Sequence, residues 1–222
     1  MQLDGMIFDL DGTLADTLPA CFRAFRRALA ACGHRPLSDA EVMQYFGPSE
    51  EGIFRQLAPD NWQVYLKAYL DVYEEEHVGS AALFPGIEAV LRLLQGRGIR
   101  MAIVTGKGPE SAAASIRLLG LAPYLDGWEP GDPSGNIKPV AIARVLARWQ
   151  VPPERVAYLG DTPEDIQGSR AVGLLPLSAA WDGRVDLERI RAASPHAIFG
   201  SVEEFRHWVE QLDPPRQPPP KK

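Results

Sequence analysis

The chain has 222 residues, of which 45% are apolar and 23% charged, which is typical of globular domains and excludes disorder, collagen and coiled coil as descriptions of the whole chain. No apolar run approaches the roughly 20 residues of a membrane span, and the first residues lack the pattern of a signal peptide, so we expect a cytoplasmic protein outside the membrane. The formal charge of -6 argues against nucleic acid as a partner but leaves room for a small anionic substrate.

Short apolar runs that lead into polar residues recur along the chain and predict buried strands. Helical stripes of apolar residues lie between them at 87–94 and 142–149, and a capping box of Ser201 and Glu204 predicts the start of a last helix. This alternation indicates an α/β fold with a Rossmann-like parallel sheet and helices on both faces. The predicted strands are residues 6–8, 100–104, 156–159, 174–177 and 197–199.

One long segment interrupts this alternation, because no convincing strand lies between residues 16 and 83. A stripe at 22–29, a capping box at 38–41 and an aromatic stripe at 62–73 predict an all-helical insert whose aromatic residues form its packing core. The predicted organisation is a Rossmann-like core of residues 1–15 and 84–212, the helical insert of residues 16–83 and a disordered, proline-rich tail of residues 213–222.

The two cysteines, Cys21 and Cys32, fall in one predicted helix of the insert. Their separation along the helix axis is roughly 16 Å at about 1.5 Å per residue, which is too far for a disulfide. We therefore expect both to be small, reduced side chains.

Reactive side chains follow three of the predicted strands: Asp9 and Asp11 after the first, Thr105 after the second and Asp161 after the third. The carboxyl ends of parallel strands form the ligand crevice of an open sheet, so these side chains are expected to converge. Lys138 precedes a helix between the last two of these strands and could reach the same crevice.

Several carboxylates in one pocket repel each other and require a cation, and oxygen ligands suit Mg²⁺. A Mg²⁺ ion next to a lysine, a threonine hydroxyl and loop amides would make a pocket for a dianionic phosphoryl group. Asp9 could then attack phosphorus, while Asp11 protonates the leaving oxygen and later activates water. The metal would screen the repulsion between Asp9 and the incoming phosphate.

Four motifs in order carry a resemblance to a known family. Residues 9–17 (DLDGTLADT) resemble the first motif of the haloacid dehalogenase-like (HAD) hydrolases, DxDGTLxDT. Residues 103–107 resemble the second motif, residues 138–139 the third and residues 160–165 the fourth, GDxxxD. The match extends over residues 6–177 and is most similar to the phosphoglycolate phosphatase-like subfamily, which carries a helical cap after the first strand.

The resemblance implies a phosphoric monoester hydrolase that uses Mg²⁺, with one role for each residue that matches a motif. By this resemblance, Asp9 is the nucleophile and a metal ligand, and Asp11 is the acid/base and binds the metal through its carbonyl. Thr105 and Gly106 bind the phosphoryl group, and Lys138 neutralises the charge of the nucleophile and the phosphate. Asp161 is a metal ligand, and Asp165 orients a metal-bound water or Lys138.

Two positions depart from the family pattern. Gly106 stands where many relatives that cleave phosphoglycolate have Asn, and Ala141 stands where the third motif usually has Pro. Neither change removes a charge that the chemistry requires, so we expect a changed pocket rather than an inactive one.

The cap is expected to choose the substrate. Gly47, Pro48 and Ser49 resemble the cap loop that faces the active site in relatives, which makes them candidate substrate contacts. The arginines at 23, 26 and 27 form either a solvated face or a site for a second acidic group of the substrate.

The leading hypothesis is a phosphatase acting on a small soluble phosphomonoester. The resemblance suggests phosphoglycolate first, and a nucleotide, a sugar phosphate or pyrophosphate is nearly as plausible. One alternative is a phosphomutase on the same scaffold, and another is a catalytically idle phosphate-binding or regulatory protein. The expected partner is a small phosphorylated metabolite, without nucleic acid or membrane, and the protein is expected to be a monomer or a homodimer.

Overall fold

The computed structural model describes residues 1–35 and 37–213, and within them the predicted α/β class with a Rossmann-like sheet is confirmed. In this part of the chain, every helix is too short or too polar to cross a lipid bilayer. The strands are β1 (Gly5–Phe8), β2 (Ala15–Asp16), β3 (Ala82–Leu83), β4 (Arg100–Val104), β5 (Trp128–Glu129), β6 (Val156–Gly160), β7 (Leu175–Ala179) and β8 (Ala197–Phe199). The helices are α1 (Leu18–Ala31), α2 (Asp39–Met43), α3 (Glu50–Leu57), α4 (Trp62–Ser80), α5 (Ile87–Gly96), α6 (Pro109–Leu118), α7 (Lys138–Trp149), α8 (Pro163–Ala171), α9 (Leu187–Ala193) and α10 (Val202–Glu210).

Six strands form one parallel sheet in the order β5-β4-β1-β6-β7-β8. All four residues of β1 are buried, because α5 and α10 cover one face of the sheet and α7 covers the other. Burial on both faces explains why these strands are continuous apolar runs rather than alternating patterns. The last residue of β1, Phe8, pairs with Ile103 of β4 and with Leu159 of β6, so the segments that follow these three strands emerge side by side.

Helices α1 to α4 form a second hydrophobic cluster outside the sheet. Its centre is aromatic: the ring of Phe25 lies 4.6 Å from that of Tyr69 and 5.2 Å from that of Phe54, between ring centres. The antiparallel pair β2 and β3 joins the two ends of this helical segment, so the chain leaves and re-enters the sheet domain at one place. The exact bounds of core and cap stay a prediction, and residues 214–222 of the predicted tail lie outside the described residues.

The structure differs from the sequence prediction at several elements. The helix that begins at the predicted capping box of residues 38–41 is short and ends at Met43. The elements that were not predicted are β2, β3, β5, α3, α6, α8 and α9, so the expectation of no strand between residues 16 and 83 was wrong at its two ends. The capping box at Ser38 and Glu41 forms as expected. At α10 only half of the box forms: Ser201 accepts from the Glu204 N–H, but the Glu204 carboxylate accepts from Gly200, one residue earlier.

Candidate active site

A cavity of about 560 Å³ lies at the carboxyl ends of β1, β4 and β6, between the sheet and the helical segment. Because these strands are neighbours, the polar residues that follow them open into the same space. Of the sequence-predicted core residues, the cavity is lined by Asp9, Asp11, Thr105, Gly106, Lys138 and Asp161. Asp165 is not part of this lining and lies buried beside Lys138.

Asp9 follows β1 and is only 6% exposed. Its backbone N–H donates to the carbonyl of Leu159 at 2.9 Å, which ties it to the end of β6. Burial raises the pKa of Asp9 to about 7. The negative charges of Asp165 and Asp11 add to this rise, whereas the positive charge of Lys138 lowers the pKa. Its Oδ1 atom is buried and accepts no hydrogen bond from any described residue, although the Lys138 Nζ lies 3.2 Å away.

Lys138, the first residue of α7, joins Asp9 to Asp165, and its Nζ donates a hydrogen bond to the Asp165 carboxylate. Asp165 also accepts from the Tyr158 hydroxyl at 3.0 Å and from the Thr162 hydroxyl at 2.6 Å. Burial alone would raise the pKa of Asp165, but the charge of Lys138 and the hydrogen bonds from Lys138 and Thr162 lower it. Asp165 therefore caps α8 and also fixes the position of Lys138.

Asp11 has two partners that hold its Oδ1 atom. The Thr17 hydroxyl donates to it, and the Lys107 Nζ lies 3.1 Å away. Lys107 is 5% exposed, and its Nζ also lies 3.0 Å from the Cys21 Sγ and 4.9 Å from the centre of the Tyr73 ring. Sequence reasoning missed Lys107, although its position two residues after Thr105 at a strand end was a usable signal.

The turn after Asp9 requires a glycine. Gly12 has a φ of +77°, and a Cβ added there would lie 2.4 Å from the Asp161 Oδ2. The next residue, Thr13, donates from its hydroxyl to the Asp161 Oδ1 at 3.0 Å. The bare backbone at residue 12 therefore lets the end of β6 bring Asp161 against the turn that follows β1.

Carboxylate oxygens of Asp9, Asp161 and Asp165 lie within 4.8 Å of one another, which is the spacing of a cation site. Burial and the charges of Asp9 and Asp165 raise the pKa of Asp161 well above its usual range, and the charge of Lys138 offsets this rise only in part. The oxygens of Asp165 are already occupied by Lys138, Tyr158 and Thr162, whereas the Asp9 Oδ1 atom accepts no hydrogen bond from a described residue and has only the Lys138 Nζ nearby, at 3.2 Å. Asp9 and Asp161 thus fit a hard cation such as Mg²⁺ best.

The cap loop between α2 and α3 divides into two parts. Gly47 and Pro48 line the cavity, whereas Ser49 is buried away from it and donates its N–H to the carbonyl of Asp132 at 3.0 Å. The next residue, Glu50, accepts from the Gly108 N–H and, at 2.6 Å, from the Ser111 hydroxyl. Ser49 and Glu50 therefore attach the helical segment to the sheet domain.

Comparison with known proteins gives consistent matches over most of the chain. A family model described as haloacid dehalogenase-like hydrolase matches residues 6–176. A phosphoglycolate phosphatase of Rhodospirillum rubrum is 30% identical over 218 residues, which cover 92% of this chain and 90% of that protein. A pyrophosphatase, PpaX, of Bacillus pumilus is 26% identical over 181 residues, covering 81% and 84%. A solved haloacid dehalogenase-like family protein of Streptococcus pneumoniae matches with a TM-score of 0.76 at 27% identity, covering 93% and 98%.

The fold, the acidic crevice and these matches define a phosphoric monoester hydrolase, which confirms the enzyme class predicted from the sequence. The chain belongs to the haloacid dehalogenase-like hydrolases, because the family match spans well over half of its length. The resemblance noted in its four motifs is thereby confirmed.

Proposed function

We propose that the protein is a Mg²⁺-dependent phosphatase that cleaves a small soluble phosphomonoester through an aspartyl-phosphate on Asp9. The phosphoryl group would enter the crevice at the ends of β1, β4 and β6. The Thr105 hydroxyl and the Gly106 backbone N–H would bind its oxygens there. Lys138, held by Asp165, would offset the combined negative charge of Asp9 and the phosphoryl group.

In the first step a carboxylate oxygen of Asp9 forms a bond to phosphorus while the bond to the leaving oxygen breaks. Asp11 gives its proton to that leaving oxygen, and its position for this transfer is set by Thr17 and Lys107. In the second step Asp11 takes a proton from water, which attacks phosphorus and releases inorganic phosphate from Asp9.

Asp9 and Asp161 are the residues that would hold the metal, with the Asp11 carbonyl as the further ligand that the family resemblance implies. A bound Mg²⁺ supplies the positive charge that allows two carboxylates and a phosphoryl dianion to approach one another. The observation that carries the proposal is the buried carboxylate of Asp9: one of its oxygens lies within 4.8 Å of carboxylate oxygens of Asp161 and Asp165, and its Oδ1 atom accepts no hydrogen bond from a described residue.

The test is the substitution Asp9→Asn, assayed by phosphate release from a panel of about 50 phosphorylated metabolites. We expect turnover to fall by several orders of magnitude while the circular dichroism spectrum stays unchanged, because an amide is not an effective nucleophile. Mass spectrometry of acid-quenched wild-type enzyme should show a phosphoryl adduct on Asp9.

The matched control is Asp71→Asn, which makes the same change on the exposed surface of α4 and should leave turnover unchanged. Normal turnover by the Asp9→Asn enzyme would contradict the mechanism. An isomeric sugar phosphate as the product, without free phosphate, would replace the phosphatase with a phosphomutase.

A further inference from the structure

The cap side of the active-site cavity is mostly apolar. The cavity volume, about 560 Å³, lies within the roughly 300–1,000 Å³ of small-molecule clefts, so it has room for more than a phosphoryl group. We call the apolar residues that line this side the cap wall. The cap wall consists of Leu18, Cys21, Phe25, Met43, Phe46 and Ile53.

Two members of the cap wall are unusually open to water. Met43 is 47% exposed and Phe46 is 38% exposed, and both face the cavity. The Phe46 ring packs against the rings of Phe22 and Phe25, with centre distances of 6.1 and 6.3 Å, so its position is supported from behind. A single exposed apolar side chain is ordinary in proteins, but two that line one cavity form a surface that an apolar ligand group would cover.

The cap contributes no cation among the described residues that line the cavity. Its one charged lining residue is Glu50, a carboxylate. The arginines of α1, which were candidates for binding a second acidic group, lie outside the lining and are each paired with a carboxylate of the cap: Arg23 with Glu76, Arg26 with Asp39, and Arg27 with Glu75 and Glu76.

The cations of the sheet domain that line the cavity beyond the phosphoryl crevice also have carboxylate partners. Lys107 lies 3.1 Å from Asp11, Arg184 pairs with Asp182 and Asp16, and Arg189 lies 3.4 Å from Glu164. A second anionic group on the substrate would therefore meet Glu50 and already matched cations, which gives it no net attraction on this side.

We propose that the leaving group of the substrate is a largely apolar alcohol about the size of an aromatic ring, which rests against Phe46 and Met43, rather than a second acid. This inference rests on the proposed phosphatase activity. The reaction stays a balanced hydrolysis: the phosphorus–oxygen bond of the ester breaks, water supplies the new oxygen on phosphorus, and the alcohol leaves with the proton from Asp11.

The test compares benzyl phosphate, 2-phosphoglycolate and ethyl phosphate, which all release an alkoxide, so that leaving-group reactivity does not dominate the comparison. We expect kcat/KM for benzyl phosphate to exceed that for 2-phosphoglycolate by about tenfold or more, because each well-buried apolar group contributes about that factor. Phe46→Ala should lower kcat/KM for benzyl phosphate about tenfold and for ethyl phosphate much less.

The second part of the test introduces a charge into the cap wall. Met43→Arg should shift the ratio of kcat/KM values towards 2-phosphoglycolate by about tenfold, because it places a cation beside the leaving group. The matched control is Val64→Arg, which adds the same charge at a position that is 60% exposed and outside the cavity lining, and which should leave the ratio unchanged.

The two proposals fail in different ways. If wild-type enzyme hydrolyses 2-phosphoglycolate as well as or better than benzyl phosphate, the apolar leaving group is wrong and the phosphatase stands. If Met43→Arg and Val64→Arg change the ratio equally, the cap wall does not contact the leaving group. If no phosphomonoester is hydrolysed, the proposed function fails and the inference fails with it.

Discussion

The two sides of the active-site cavity differ in the charge of the residues that line them. On the sheet side, Asp9 and Asp165 are buried and the half-buried Lys138 contacts both of them, and their positions are fixed by strand ends and helix starts. On the cap side, Met43 and Phe46 present partly exposed apolar surface. Under the proposed function, the paired charges of the sheet side would serve the reaction and the cap would distinguish the group that leaves.

Removal of the metal tests the charged side most severely. We expect treatment with EDTA to abolish phosphate release and Mg²⁺ to restore it, because Asp9, Asp161 and the phosphoryl group repel one another without a cation. Ca²⁺ should not restore activity, since its larger and looser coordination shell misplaces the attacking carboxylate. Undiminished phosphate release in the presence of chelator would contradict the metal site.

The substitution Lys138→Met should have the next largest effect. It leaves Asp9 and Asp165 buried without their cation, so we expect kcat to fall about a thousandfold and the free energy of unfolding to fall by about 3–5 kcal/mol. Phosphate release and urea unfolding measure the two effects. A variant that kept its turnover would show that Lys138 does not offset charge in the reaction.

Lys107 lies where the charged side meets the cap, and Lys107→Met tests whether it positions Asp11. We expect kcat to fall about tenfold to a hundredfold with a smaller change in KM, because Asp11, the proposed acid/base, loses one of its two partners. Lys67→Met, on the exposed face of α4, is the control. A raised KM at constant kcat would assign Lys107 to substrate binding instead.

His77 provides the smallest effect, on stability within the cap. Burial lowers the pKa of His77 to about 4, while the ordinary value of about 6.5 applies in the unfolded chain. As pH falls from about 6.5 to 4 the unfolded state binds this proton first, so the free energy of unfolding should decrease, by up to about 3 kcal/mol.

His77→Phe keeps a ring against Tyr73, whose centre lies 5.6 Å from that of His77, but removes the titration. Urea unfolding across this pH range should therefore show a shallower decline for His77→Phe than for wild type. His207→Gln, at an exposed position, should follow wild type. Parallel curves for wild type and His77→Phe would show that His77 does not take up a proton in this range.

The sequence predicted the fold well where an apolar run leads directly into polar residues. The strands at 6–8, 100–104 and 156–159 are apolar because helices cover both sheet faces, and their polar ends followed directly from that pattern. The elements it missed carry weak signals: β5 has only two residues, and α6 is rich in Ala and Ser and so lacks a large apolar stripe.

The residues of the candidate site also differ in how well the sequence predicted them. The motif residues can be recognised from residue type and position in the sequence. The contacts of Lys107 with Asp11 and Cys21 cannot, because they join segments that are far apart in the chain. The cap loop shows the limit most clearly, since Gly47 and Pro48 line the cavity while their neighbour Ser49 turns to the sheet domain. Such contacts depend on how the cap docks, which local pattern does not specify.

The close approach of Gly12 to Asp161 has a consequence for re-engineering this scaffold. The Asp161 carboxylate lies directly against the main chain at Gly12, so any larger residue at position 12 would push the carboxylate away. Gly160 stands in the same relation to Asp165. A combinatorial library should therefore hold both glycines constant and randomise Met43 and Phe46, where, under the inference made from the cap wall, new shapes would alter which molecules are accepted without disturbing the reactive groups.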